Sequence, residues 1–182
     1  MLRLEKMSCG YGAIRAVEDL SFDLPAGALL ALLGPNGAGK TSTMMAIMGH
    51  TTIFGGKIVF EGKDITREPA VKRAARGIAF FTFEELCDRP LGAADYLAIA
   101  ECFSTVLIDG VPPLSAERRD ETARFTTLID ALYEAKTKLF MAAASAPEQL
   151  APAGEWSFAF QRTASRLIEM QSEEYRQKPH LG

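Results

Sequence analysis

Apolar and polar positions alternate in two runs near the start of the chain, Leu2 to Ser8 and Val17 to Leu24, with the turn-forming Gly10, Tyr11 and Gly12 between them. Alternation with a period of two predicts strands buried on one face, here the opening strands of a small antiparallel sheet. A third such strand, Lys57 to Phe60, follows Gly55 and Gly56 and turns at Glu61 to Asp64. Residues 28–33 (ALLALL) are apolar without interruption, which reads as a buried strand, and residues 41–49 (TSTMMAIMG) read as a helix ended by glycine. Pro69 to Arg76 is expected to form a short basic helix closed by Gly77, and Ile78 to Phe81 is again strand-like.

Downstream the rhythm changes to longer helices between apolar strands. Asp88 to Phe103, interrupted early by Pro90 and Gly92, is predicted as a helix, and Thr105 to Asp109 (TVLID) as a buried strand. Ser115 to Ala135 is predicted as an amphipathic helix with Ser115 as its N-cap and Phe125, Leu128, Ile129 and Leu132 at helical spacing. Lys138 to Ala144 reads as another apolar strand, Ala146 to Glu155 as a surface connection, and Phe158 to Gln177 as a final helix with Leu167, Ile168 and Met170 on or near one face. Together these elements predict an α/β fold. An antiparallel β layer lies beside a small parallel sheet that includes residues 28–33, 105–109 and 138–144, with helices on both faces.

Between the apolar strand and the helix stand Gly34, Pro35, Asn36, Gly37, Ala38, Gly39, Lys40 and Thr41, followed by Ser42. GPNGAGKT is a full match to the phosphate-binding loop (P-loop, Walker A) pattern, in the strand, loop, helix context that the pattern requires. The glycines let successive backbone N–H groups point at phosphate oxygens, and the helix N-terminus adds its partial positive charge. Lys40 reaches the outer phosphates and the Thr41 hydroxyl is placed for Mg²⁺. The pattern predicts a nucleotide's phosphates and Mg²⁺ as ligands, with residues 34–42 as the nucleotide contacts and Lys40 as the catalytic cation.

Composition narrows the classes around that reading. The chain has 182 residues, enough for one real core, and 20 basic against 23 acidic residues leave a net charge of −3 with the signs interspersed. Nothing in that balance favours nucleic acid as a partner. Cys9, Cys87 and Cys102 are odd in number and without CxxC spacing, so reduced, mostly buried thiols are expected. No apolar run approaches the roughly 18 to 20 residues that span a bilayer, and the start of the chain is not that of a secretory signal. The expectation is a cytoplasmic protein.

The motifs of residues 1–79, SCGYGAIRAVEDLSFDLPAG, ALLALLGPNGAGKTSTMMAIMG and GGKIVFEGKDITREPAVKRAARGIA, resemble the start of an ATP-binding cassette (ABC) subunit of the branched-chain amino acid importer type. That resemblance implies that Tyr11 stacks on the adenine ring; otherwise Tyr11 is an ordinary turn aromatic. From about Phe81 the resemblance changes. FTFEELCDRPLGAADYLAIAECF, RFTTLIDALYEAKTKLFMAAASAPEQL and FAFQRTASRLIEMQSEEY look like the C-terminal portion of the ZapE family of cell-division AAA+ ATPases. Residues 1–79 and 80–182 are therefore expected to be a nucleotide-binding part and a ZapE-like part, joined in a chimera near Phe80 to Thr82.

The cassette resemblance also implies a glutamine loop, an LSGGQ signature, a DE pair and a switch histidine. The signature is missing. TVLIDG is the one candidate for the DE pair, with Asp109 near the Mg²⁺ water shell and Gly110 where the family has its catalytic glutamate; alternatively Asp109 merely ends a strand. Glu84 and Glu85 read as helix-start carboxylates rather than phosphate sensors, and His50 as a helix C-terminal residue. Arg162 and Arg166, one helical turn apart, read either as surface ion-pair partners or as phosphate-sensing or subunit-facing arginines. Lys72, Arg73 and Arg76 read as a solvated helix face. The resulting expectation is an Mg-ATP-binding protein with weak or absent hydrolysis. A working ABC-type ATPase and a cell-division interaction module with a vestigial nucleotide site stand as alternatives. The resemblances imply a membrane permease or a division-machinery protein as partner, and a site peripheral to the inner membrane.

Overall fold

The computed structural model describes residues 1–25, 28–35, 37–150, 157–176 and 179–181. It contains two four-stranded sheets. The first is antiparallel and is built from β1 (Leu2–Tyr11), β2 (Ile14–Leu24), β4 (Thr52–Phe60) and β5 (Lys63–Asp64) in the order β2-β1-β4-β5. The second is parallel and is built from β3 (Leu29–Leu32), β6 (Ile78–Thr82), β7 (Thr105–Val111) and β8 (Lys138–Ala143) in the order β3-β8-β7-β6. The helices are α1 (Lys40–Met48), α2 (Ala70–Ala74), α3 (Phe83–Cys87), α4 (Ala93–Cys102), α5 (Arg119–Glu134), α6 (Ser157–Glu169) and α7 (Glu173–Arg176).

The first hairpin is longer than the alternation predicts. β1 runs on through Gly10 and Tyr11, β2 starts at Ile14, and Tyr11 pairs with Ile14 across a turn at Gly12 and Ala13. Close approach makes this work, because a Cβ on Gly10 would lie 1.9 Å from the Ile14 carbonyl oxygen. The buried apolar side chains of β1 are Leu2 and Leu4, then Met7 and Cys9. Parity changes between them because a bulge lies between Leu4 and Met7, with Lys6 at φ 45°. One inserted residue turns the following side chains over, so the same face of the strand stays buried along its whole length.

The parallel sheet separates two apolar layers. Val106, Ile108, Leu139 and Met141 face a core formed with Phe83, Tyr96, Phe125, Leu128, Ile129 and Leu132 from α3, α4 and α5. Leu107, Phe140 and Ala142 face the opposite way, onto Met44 and Ile47 of α1 and Leu2, Leu4 and Phe60 of the antiparallel sheet. With both faces covered, uninterrupted apolar runs are what these strands require. The predicted stripe of α5 is buried as expected.

Several elements differ from the sequence-based expectation. The helix expected from Asp88 starts at Ala93, because Pro90 lacks an amide hydrogen and the Gly92 N–H is held instead by the Asp95 carboxylate (2.8 Å). A separate helix, α3, precedes it, fixed by a capping box in which Thr82 and Glu85 satisfy each other's backbone N–H groups. The expected strand at Lys57 begins at Thr52, and the final helix is divided into α6 and α7, with residues 177 and 178 outside the described ones. Ile168 is exposed, whereas Phe160, Thr163, Leu167 and Met170 are buried. The expected connection at residues 146–155 holds a 3-10 turn at Pro147–Gln149, and its part at 151–155 lies outside the described residues.

Candidate nucleotide site

Loop geometry follows directly from the glycines. Gly39 is the N-cap of α1 at φ 81° and ψ 9°, a left-handed conformation that costs other residues about 1–2 kcal/mol. A Cβ there would also lie 2.7 Å from Val17 Cγ2, so the β1–β2 hairpin packs against the loop only because the position is glycine. Gly37 is likewise left-handed, at φ 85°, with open space where a Cβ would be. Such a turn aims backbone N–H groups into the concavity ahead of a helix N-terminus. The Thr43 hydroxyl (2.9 Å) and Thr43 N–H (2.8 Å) both donate to the Gly39 carbonyl, which anchors the loop to the first turn of α1.

Lys40 lies in the concavity. Its Nζ donates to the carbonyls of Gly34 (2.7 Å) and Pro35 (2.9 Å), closing the loop around the ammonium. The loop opens onto a cavity of about 520 Å³ whose lining includes Gly34, Gly37, Gly39, Lys40, Thr41 and Ser42 on one side. Asp109, Gly110, Val111 and Pro112 at the end of β7, and Ala142, Ala143 and Ala144 at the end of β8, form the other side. The strand order explains this meeting: β8 lies between β3 and β7, so the C-terminal ends of all three strands reach the same edge of the sheet. Ligands of open α/β sheets bind at that edge. Between Ile108 and Val111 the β7–β8 register shifts, and Gly110 has φ 74°, so a bulge sets the position of Asp109 beside the cavity.

Of the sequence candidates, residues 34, 37 and 39–42 and Asp109 line one cavity. Pro35 and Ala38 belong to the loop, where the Ala38 N–H donates to the Pro35 carbonyl (3.2 Å), and Asn36 lies outside the described residues. Tyr11 is 51% exposed at the hairpin tip and is not among the lining residues, although Ala16 of the same hairpin is. The donor set suits a phosphate chain and its Mg²⁺. Among the described residues no cluster of three or more His, Cys, Asp or Glu side chains forms a metal cage, and Mg²⁺ bound through phosphates, water and one or two protein oxygens needs none.

The remaining predicted residues have structural partners. Glu84 and Glu85 lie in the first turn of α3, Glu85 within its capping box. Arg162 donates to Asp130 (2.5 Å), and Arg166 reaches both Asp130 and Glu134 of α5, so the ion-pair reading describes these arginines here. His50 is exposed, but its backbone N–H, bonded to the Met45 carbonyl (2.8 Å), and left-handed Gly49 end α1.

Arg73 corrects the expectation of a solvated basic face. It is 1% exposed and donates to the carbonyls of Ala46 (2.7 Å), Ile47 (2.7 Å), Thr66 (2.9 Å) and Glu68 (2.8 Å). The guanidinium thus satisfies the open carbonyls at the C-terminus of the loop helix, where a cation is favoured. Its neighbour Arg76 forms a two-point pair with Glu68 (2.6 and 2.7 Å), which holds that carboxyl below the usual range. The sequence shows Lys72, Arg73 and Arg76 as one basic group, and that pattern does not distinguish the inward arginine from its neighbours.

Residues 62–179 match the AFG1-like ATPase family. Lactation elevated protein 1 homolog B of Danio rerio is 36% identical over 160 residues, covering 65% of this chain and 32% of that protein. Cell division protein ZapE of Escherichia coli strain K12 is 37% identical over 101 residues, covering 56% of this chain and 27% of that protein. The lipopolysaccharide export system ATP-binding protein LptB of the same strain is 34% identical over 122 residues, covering 67% of this chain and 48% of that protein. The chain therefore spans less than half the length of each of these relatives. A nucleotide-free ATP-binding cassette from an ABC transporter shares the fold, with a TM-score of 0.58 at 15% identity over 94% of this chain and 98% of that one. The chain has the fold of the nucleotide-binding P-loop ATPases, and it belongs to the AFG1-like ATPase family.

Proposed function

We propose that the chain binds ATP with Mg²⁺ at the loop of residues 34–42 and hydrolyses it slowly or not at all. The observation that carries this reading is the single cavity shared by Lys40, Thr41 and Asp109. Lys40 exchanges its bonds to the Gly34 and Pro35 carbonyls for the outer phosphates. Thr41 and Asp109 would hold the metal and its water shell, and Tyr11 would stack on the base. Bound Mg²⁺ would offset the charge that builds on the phosphate oxygens; the protein's own share is positioning. A residue that activates water is the missing part. Asp109 is the sole carboxylate among the described lining residues, and Gly110 follows it.

In this proposal residues 1–79 are cassette-like, of the branched-chain importer type, and residues 80–182 are ZapE-like, which makes the chain a chimera. The partner classes are then a membrane permease or a division-machinery protein, with the chain peripheral to the inner membrane. Among the described residues no helix is long and apolar enough to cross a membrane. Phosphate release measured with saturating ATP and Mg²⁺ tests the catalytic half of the proposal. A rate near the uncatalysed background is expected; robust Mg²⁺-dependent turnover would show that another residue activates water.

A further inference from the structure

We propose that the free edge of β3 is a self-association surface, on which β3 of a second copy of this chain pairs antiparallel and joins the two parallel sheets into one. β3 ends the strand order of its sheet and pairs with β8 alone. The Leu139 N–H donates to the Ala28 carbonyl (2.9 Å). In the parallel ladder with β8, residues 28, 30 and 32 therefore turn their backbone groups to β8, and residues 29, 31 and 33 turn theirs outward. Leu29 follows that alternation, since its N–H meets the Met170 carbonyl on the outer side (2.9 Å). Among the described residues the outward N–H groups of Ala31 and Leu33 have no such partner.

A groove of about 380 Å³ lies beside this edge, with Leu29 to Ala31 and Leu33 on one side and Ala146, Pro147 and Gln171 on the other. None of these side chains is ionisable, so an uncharged extended segment is the occupant that matches it. β3 itself is such a segment: residues 28–33 (ALLALL) carry neither a charge nor a proline to block pairing. The outer strands of the antiparallel sheet are protected by contrast, β2 by Arg15, Glu18, Asp19 and Asp23 and β5 by its length of two residues. A two-fold axis at Leu32 lets Ala31 of each copy exchange both backbone hydrogen bonds with Leu33 of the other, which satisfies both edges at once. Leu33 is 50% exposed at one end of the groove. Near Gln171 lies Ile168, 42% exposed, whose carbonyl accepts from the Gln171 N–H (3.0 Å). These two side chains add apolar contact beside the ladder. So short a ladder stays below the roughly 800 Å² per partner of a standard interface, which makes the pairing reversible at micromolar concentrations. It needs no nucleotide.

Sedimentation of the whole chain without nucleotide, from about 1 to 200 μM, tests this. The mass should rise with concentration from 19.8 kDa toward twice that value, and equally at about 0.1 and 1 M salt, because no charges meet in the groove. Hydrogen exchange at the two ends of that range should show the Ala31 and Leu33 amides slowed about tenfold or more at the higher concentration. Ala31→Pro removes the outward N–H and leaves the ladder to β8 intact, as edge strands allow, and Leu33→Lys sets a charge on the edge. Both variants should remain at 19.8 kDa throughout, with melting temperatures reporting that they fold; if Ala31→Pro does not fold, Leu33→Lys decides. A wild type that stays monomeric at every concentration would overturn the proposal. So would a dimer that dissociates at high salt, or one that a folded variant retains.

Discussion

Arg73 does more for the nucleotide site than its distance from the loop suggests, because it closes the far end of the helix that the loop opens. Replacing it with Ala leaves the Ala46 and Ile47 carbonyls without the partner they have at 2.7 Å, and opens space beside Gly49, whose Cβ position is 3.0 Å from Arg73 Nε. Arg73→Ala should destabilise the fold by about 2–4 kcal/mol, since each buried polar group left unpaired costs about 1–3 kcal/mol. Urea denaturation checks this, with Lys72→Ala as the exposed control expected to fall within about 0.5 kcal/mol of wild type. Gly110 is a second informative residue. Its φ of 74° makes Gly110→Glu cost about 1–2 kcal/mol in backbone strain although space is open around it. Restoring a carboxylate there should therefore lower the melting temperature while raising phosphate release only modestly, as parallel melting and release assays would show. Residue identity alone revealed the loop, because GPNGAGKT combines its chemistry with its spacing. It did not reveal Arg73, because the burial of one basic residue among several depends on the contacts between α1 and α2.

At the scale of elements, the period of the hydrophobic pattern identified most strands, and α5, since one face of each is buried. Boundaries were less legible where a bulge or a side-chain cap sets them. Lys6 reverses the alternation of β1 halfway along, and Thr82 with Glu85 starts a helix of five residues too short to show a period. Thr82→Ala should cost about 1 kcal/mol through loss of that cap, measurable by thermal denaturation. The layer beneath α3 and α4 predicts an alkaline response. Burial pushes the Cys87 thiol from 9.0 up to about 12 and the Tyr96 hydroxyl from 10.0 up to about 12. Folding thus favours the neutral forms. Their contribution is complete below pH 9 and is lost as the pH rises from there to about 12, where the folded groups also ionise. Melting temperature should fall over that window, and Cys87→Ser should flatten its lower part.

Across the whole molecule, the parallel sheet unites stretches far apart in the sequence. β3 lies before the phosphate loop and β7 and β8 well after it, and Leu29 to Leu32 pair residue by residue with Leu139 to Ala142. That pairing brings Asp109 to the phosphate loop, a juxtaposition no local pattern contains. Light scattering with Mg²⁺ and ATP should show no doubling of mass, because the chain has no LSGGQ sequence to present to a second copy's phosphates, and association must repay lost translational freedom. A clean nucleotide-induced dimer would assign that role to other residues. The central claim is that the Gly34–Ser42 loop holds the phosphates through Lys40, and calorimetric titration of Mg-ATP into wild type and Lys40→Ala tests it directly. One charge-assisted contact contributes about 1.5–3 kcal/mol, so the variant should bind more than about tenfold more weakly. Equal affinity of the two proteins would contradict the account.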